Sequence, residues 1–276
     1  MTTTASFTVA TTAGPHRVAV AYERTGSGEP VLLLHGIGHH LRAWDPVARI
    51  LAAEREVIAV DLPGFGASPA LPDGVPYDLP TFGAVLGAFC AELGLDRPHV
   101  VGNSLGGLLA LELGRTGLVR SVTALSPAGF WNGPERRYAF GTLRAMRRAA
   151  LAMPVPLIER LSRSAAGRAV LTSTIYARPG RRSPQAVVAE TLALREATGF
   201  HATMAAGRGA PFDLNVKDVP VTVAWGTGDR ILPRRQGIRA KRALPDARLV
   251  RLPGCGHVPM NDDPALVSRV ILDTSR

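Results

Sequence analysis

Ser104 lies in VVGNSLGGLLAL, with Gly102 two residues before it and Gly106 two residues after, between an apolar run that reads as a strand and a pattern that reads as a helix. In this G-x-S-x-G context the chain turns so sharply that the serine takes strained dihedrals, and side chains at the flanking positions would meet neighbouring backbone. The hydroxyl then stands at a helix N-terminus, where amide groups and the helix dipole favour developing negative charge. A serine is a weak nucleophile until a base takes its proton. Of the seven histidines, His257 in LPGCGHVPMNDDP falls in a glycine-containing loop between the last expected strand and the last helix, from which the ring can reach back across the strand ends. The base in turn needs a carboxylate to orient it and to stabilise the imidazolium. Asp229 closes VPVTVAWGTGD, where an apolar strand enters a Gly-x-Gly turn, and the chain order Ser, Asp, His fits this pattern. A fourth element, LLLHGIGHH, brings the backbone amide of Ile37 beside the serine, and Leu105 supplies a second amide. Two donors aimed at a tetrahedral oxyanion stabilise it substantially, about 3 kcal/mol being typical for the loss of one.

These residues must be carried by a scaffold that brings distant strand ends together. Short apolar runs alternate with helical patterns, and the runs are nearly continuous, as strands covered on both faces require. Strands are predicted at Phe7–Thr11, Val18–Arg24, Val31–His35, Val57–Asp61, His99–Asn103, Ser121–Ser126, Val221–Gly226 and Ala247–Arg251. The first two, joined through TAGPHR, read as an antiparallel hairpin at the sheet edge. Helices are predicted at Ala43–Ala53, Leu79–Leu93, Leu105–Arg115, Arg234–Ala243 and Pro264–Leu272. The fold class is therefore α/β: an eight-stranded, mostly parallel sheet with helices on both faces.

After the sixth strand come about ninety residues with helical periodicity and no convincing strand, too many for a simple crossover. They read as a helical cap, with pieces near Glu135–Ala152, Pro156–Arg163, Gly167–Tyr176 and Pro184–Thr198. The expected division is a core of residues 1–129 and 211–276 and a cap of residues 130–210. Trp131, at the junction, is the preferred pocket residue.

Composition narrows the class. The 46% hydrophobic content and mean hydropathy of +0.11 suit a packed domain. No run approaches the roughly 20 apolar residues of a membrane span, and MTTTASFTVATTAG lacks the features of a leader, so a cytoplasmic location is expected. The net charge of +10 is concentrated: from Pro134 to Phe200 there are twelve Arg, four Glu, and neither Lys nor Asp. Codon usage is the plain explanation of that bias; attraction of acidic substrates to the cap is the functional one. No aromatic interleaving or zinc spacing accompanies the charge, so no nucleic-acid partner is expected. Two cysteines make no disulfide framework; Cys255, near His257, reads as a small residue in a tight turn.

HGIG, DLPGFGAS, GNSLGG, WGTGD and GCGHVP together resemble the successive signatures of the α/β-hydrolase superfamily over roughly residues 30 to 265. The resemblance implies Ser104, His257 and Asp229 as a catalytic triad, Ile37 and Leu105 as oxyanion donors, no metal or organic cofactor, and a structural role for Asp61. It implies a small-molecule substrate: a small, largely apolar carboxylic ester, lactone or thioester, cleaved through an acyl-enzyme on Ser104. GNSLGG with a cap is also similar to the carbon-carbon bond hydrolases that cleave vinylogous diketones. There the residue matching Asn103 and a cap arginine, here Arg195, bind substrate, with Gly36 and Val258 beside the site; those enzymes carry Trp where this chain has Val258. Triad-bearing small-molecule receptors form a third class. A monomer or homodimer is expected.

Overall fold

In the computed structural model, which describes residues 1–12, 14–207, 216 and 218–276, strand β1 (Thr3–Thr11) alternates buried and exposed residues and pairs antiparallel with β2 (Gly14–Thr25). This edge hairpin has one solvated face, which its alternating sequence requires. From β3 (Pro30–Leu34) onward the pattern changes: β3, β4 (Glu56–Val60), β5 (His99–Asn103) and β6 (Ser121–Leu125) are almost wholly buried. With β7 (Val221–Gly226) and β8 (Arg248–Leu252) they complete an eight-stranded sheet of order β1-β2-β4-β3-β5-β6-β7-β8, parallel from β4 through β8.

Two apolar clusters cover the two faces. Between the strands, α1 (Asp45–Leu51), α2 (Leu79–Glu92) and α3 (Leu105–Arg115) complete the first crossovers. Phe82, Phe89 and Leu111 of α2 and α3 pack against Leu32 and Val100 on one side. Val47 and Leu51 of α1 pack on the other side with Val267 and Ile271, residues of the C-terminal helix. A short 3-10 turn, Leu41–Trp44, begins the region predicted as one helix from Ala43, because Pro46 enters at the first turn of α1 and its missing N–H suits that position.

Between β6 and β7 run α4 (Gly133–Ala152), α5 (Val155–Ser162), α6 (Ala165–Thr172), α7 (Pro184–Glu196) and α8 (Phe200–Ala206). Asn132 and Glu135 form a reciprocal capping box at the start of α4, and the Ser164 and Ser183 side chains cap α6 and α7. Helix α8 has no side-chain cap; it is held by the burial of Phe200 and Met204 and leaves little local signature. Glu135 binds Arg235 and Arg239 across the base of the insertion. The expected return boundary at residues 210 and 211 lies outside the described residues. After β7 come α9 (Arg235–Ala243), the single turn α10 (Pro259–Asp262), unforeseen in the sequence, and α11 (Pro264–Thr274). Among the described residues no helix is long and apolar enough to cross a membrane.

Candidate active site

Parallel pairing aligns the strand ends: Leu34 stands opposite Val60 and Gly102, and Asn103 opposite Leu125. The residues leaving these strands therefore share one edge, where open α/β sheets place their ligands. Ser104, between β5 and α3, has φ 56° and ψ −113°, a conformation costly for a residue with a side chain. Its N–H donates to Leu125 O at 3.0 Å, and its carbonyl accepts from Leu108 and Ala128. A Cβ on Gly102 would lie 1.9 Å from Gly106 O, and one on Gly106 would lie 2.2 Å from Leu34 O. Both positions are sterically confined to glycine. The amide of Leu105, first residue of α3, has no intrahelical partner to bond.

Asp229 follows β7. Its carboxylate is fully buried, with Oδ1 accepting from the amides of Ile231 (2.9 Å) and Leu232 (2.8 Å), while Oδ2 meets His257 Nδ1 at 2.9 Å. With the carboxylate as acceptor, Nδ1 carries the proton and Nε2 is left as the basic nitrogen. The loop bearing His257 is fastened from three directions. Asn103 Nδ2 donates to His257 O at 2.8 Å and to Leu125 O at 3.1 Å. Ile175 O accepts from the amides of His257 (2.8 Å) and Val258 (3.2 Å). Asp262 accepts from the amides of Gly256 (2.7 Å), Ala177 (3.0 Å) and Arg178 (2.8 Å), joining the loop to the insertion.

The Gly36–Ile37 turn is set by His35, whose Nδ1 donates to Gly36 O at 2.7 Å and whose Nε2 accepts from Leu62 N at 3.0 Å. Burial pushes its pKa down to about 4, so the ring is neutral. Asp61 accepts from the amides of Leu41 (2.6 Å) and Ala67 (2.8 Å), and a Cβ on Gly66 would overlap its carboxylate. Its contacts hold a turn together. Cys255 is buried, its thiol pushed up to about 12 by burial and then by Asp262, which suits packing and not nucleophilic attack.

A cavity of about 380 Å³ separates these strand ends from the insertion, and Gly36, Ile37, Asn103, Ser104, His257 and Val258 all line it. Its opposite wall is largely apolar, with Met146, Met153, Ile175 and Leu194. A smaller chamber of about 60 Å³ also reaches Ser104, lined by Ile37, Leu105, Trp131 and Phe140. Trp131 stands edge-on to Phe140 at 5.6 Å.

Arg195 departs from the sequence expectation. Its guanidinium donates to the carbonyls of Ala150 (3.4 Å) and Met153 (2.9 Å), and the residue does not line either chamber. These carbonyls end α4 and lack intrahelical donors, so a cation beside them is favoured over one pointing at a ligand. Asn103 lines the cavity, but both of its amide hydrogens are spent on backbone. Among the described residues no Lys or Arg lines the larger cavity, and the one carboxylate that does is Glu190. Two residues had faint signals in the sequence. Asp262 precedes Asp263, which alone is needed to cap α11 through Leu266 N, and Glu190 occupies an inward position at helical spacing from Val187 and Leu194. Among the described residues no group of three or more His, Cys, Asp or Glu is placed to hold a metal ion.

Residues 31–270 match the model of the alpha/beta hydrolase family. The chain is 26% identical, over 98% of its length and 96% of the relative's, to a 2-hydroxy-6-oxo-6-phenylhexa-2,4-dienoate hydrolase of Burkholderia cepacia. Among solved structures it superposes on a thermophilic esterase from Thermogutta terrifontis with a TM-score of 0.76, at 24% identity, over 98% of this chain and 97% of that one. The enol-lactonase from Burkholderia xenovorans gives a TM-score of 0.75 at 20% identity, covering 98% and 99%.

Proposed function

We propose, from the premise that this chain belongs to the alpha/beta hydrolase family, that it is a serine hydrolase cleaving a small, largely apolar carboxylic ester, lactone or thioester. The observation that carries the reading is the 2.9 Å contact between His257 Nδ1 and the buried Asp229, on a ring lining the same cavity as the strained Ser104.

In the proposed reaction Ser104 Oγ attacks the carbonyl carbon while His257 Nε2 takes the hydroxyl proton. Asp229 keeps Nδ1 protonated and offsets the imidazolium charge. The tetrahedral oxyanion lies against the amides of Ile37 and Leu105. Its collapse breaks the bond to the leaving oxygen or sulfur, which receives the proton from His257, and leaves an acyl group on Ser104. Water, deprotonated by the same ring, attacks that ester, releases the acid and restores the serine. The smaller chamber, lined by Trp131 and Phe140, suits a short apolar arm, and the larger cavity takes the longer one. The helices between β6 and β7 act as the cap that encloses it.

Carbon-carbon hydrolysis is the second reading, favoured by the likeness to the dienoate hydrolase over nearly the whole chain. The lining speaks against it: a dienoate carries a carboxylate, and here Arg195 turns away, Asn103 has no amide hydrogen to offer, and Glu190 faces the same space. Release of nitrophenol from short and medium p-nitrophenyl esters, abolished in Ser104→Ala, is the expected result. Bleaching of a yellow ring-cleavage dienolate with no turnover of any ester would transfer the assignment to the second reading.

A further inference from the structure

The Ile37 amide is carried by a tight turn over residues 36–39. His39 N donates to Gly36 O at 3.1 Å, and Gly38, at the third position, has the φ of 72° that such a turn reserves for glycine. That bond does not engage the Ile37 N–H, so the direction of this amide depends on how the turn is held. The insertion holds it at two successive residues. Helix α7 sits on Gly38, where a Cβ would lie 2.4 Å from Leu194 Cδ1. His39, buried on the cavity wall, is met by Tyr176 from the segment between α6 and α7.

The proton positions along this contact follow from the partners. Burial pushes the His39 ring well below the ordinary histidine range, so it is neutral. Its Nδ1 accepts from His40 N at 3.0 Å, which leaves the proton on Nε2, facing the Tyr176 hydroxyl at a long 3.4 Å. Tyr176 is 1% exposed, and burial, then Glu190, keep its hydroxyl protonated. With its oxygen turned to His39, that hydroxyl donates to the Glu190 carboxylate, its side-chain hydrogen-bond partner. Glu190 is paired with Arg182, Arg182 donates to Asn261 Oδ1 at 2.6 Å, and Asn261 Nδ2 donates to Ala43 O at 3.0 Å. The chain of hydrogen bonds thus leaves the turn at His39, crosses the insertion and α10, and returns four residues further on.

The backbone around Tyr176 serves the other half of the site. Ile175 O accepts from the amides of His257 and Val258, and a Cβ on Gly256 would lie 2.6 Å from that oxygen. One stretch of the insertion therefore touches both the loop of the proposed base and the turn of the proposed oxyanion donor.

We propose that Tyr176 is a positioning residue for the reaction: its hydroxyl, oriented by Glu190, fixes His39 and through it the turn that presents the Ile37 amide to the oxyanion. This rests on the reading of Ile37 as an oxyanion donor, and it makes the seated insertion a requirement for a complete oxyanion hole.

Tyr176→Phe removes the hydroxyl and keeps the ring. On a p-nitrophenyl ester kcat should fall about tenfold at near-constant KM, less than the roughly 100–1000-fold typical of removing an oxyanion donor outright. A trifluoromethyl ketone, which forms a tetrahedral adduct on the serine, should lose affinity by a similar factor, while the intact ester should bind Ser104→Ala and Ser104→Ala/Tyr176→Phe alike. A role confined to stability would produce neither the split nor the weaker ketone. Hydrogen exchange needs no turnover, and it should quicken about threefold or more in peptides spanning residues 36–41 but not in those spanning β5. A kcat and ketone affinity within about twofold of wild type, a raised KM as the only kinetic change, or unchanged exchange at 36–41 would overturn the proposal. Absence of ester hydrolysis by the wild-type protein would instead strike the reaction assigned above. If Tyr176→Phe does not fold, Glu190→Gln takes its place with the same expected and contrary results: Arg182 can only donate and draws the glutamine oxygen, so the Tyr176 proton loses its acceptor.

Discussion

Asn103 donates its side-chain amide to the carbonyl oxygen of His257 at 2.8 Å, so the residue next to the proposed nucleophile holds the loop that carries the proposed base. The two partners of the proposed proton transfer are thereby tied together by a bond that takes no part in the chemistry.

Replacing Asn103 with Ala should therefore act on kcat more than on KM. Loss of the two amide hydrogen bonds leaves His257 O and Leu125 O without this donor and loosens the loop by a fraction of an ångström, and misplacement on that scale typically costs about 10–100-fold in rate. Steady-state kinetics on a p-nitrophenyl ester check this. A rise in KM at constant kcat would return Asn103 to substrate binding.

Asp262 is the matching device on the other side of the loop. Its two oxygens serve three backbone amides, one from the His257 loop and two from the insertion. In Asp262→Asn an NH2 group faces at least one amide that it cannot accept from, and the folded state should lose about 1–3 kcal/mol. Urea unfolding measures that loss, and kcat should fall with it; a variant of unchanged stability and rate would contradict the stapling role.

The neutral His35 makes a prediction about acid. Its folded pKa, pushed down to about 4 by burial, lies below the ordinary histidine value of about 6.5, so below pH 6.5 the unfolded chain takes up the proton first. Its stabilising contribution is complete above pH 6.5 and is lost progressively as pH falls towards 4, at up to about 1.4 kcal/mol per pH unit. Other groups add their own pH dependence, among them Asp61, whose carboxyl burial raises and which acts with the opposite sign. The measurement is thus the difference in pH slope of unfolding free energy between wild type and His35→Asn, expected to be steeper for wild type between pH 6 and 5. Parallel slopes would contradict a neutral buried ring.

How legible each feature is in the sequence follows from how local its cause is. Ser104 is readable because the elbow imposes glycine at 102 and 106, where an added Cβ would come within 1.9 and 2.2 Å of backbone oxygens. Asp229 and His257 are readable because apolar strands announce where they end, and parallel pairing brings those ends to one edge. Arg195 misleads because a helical sequence does not say what its side chain meets in space; the free carbonyls closing α4 claimed it. Helix α8 escapes notice because the burial of Phe200 and Met204 makes it, not a cap or a long periodicity. Glu190 is a charge at an inward helical position, and nothing in its own helix foretells the ion pair with Arg182 that holds it there.

The central claim is that Ser104 is an activated nucleophile, and labelling with a fluorophosphonate tests it most directly. Intact-protein mass spectrometry should show a single adduct on the wild-type chain, mapped by peptide analysis to Ser104, slow labelling of Asp229→Asn and His257→Ala, and none of Ser104→Ala. An unlabelled wild type, or an adduct that persists in Ser104→Ala, would contradict the account.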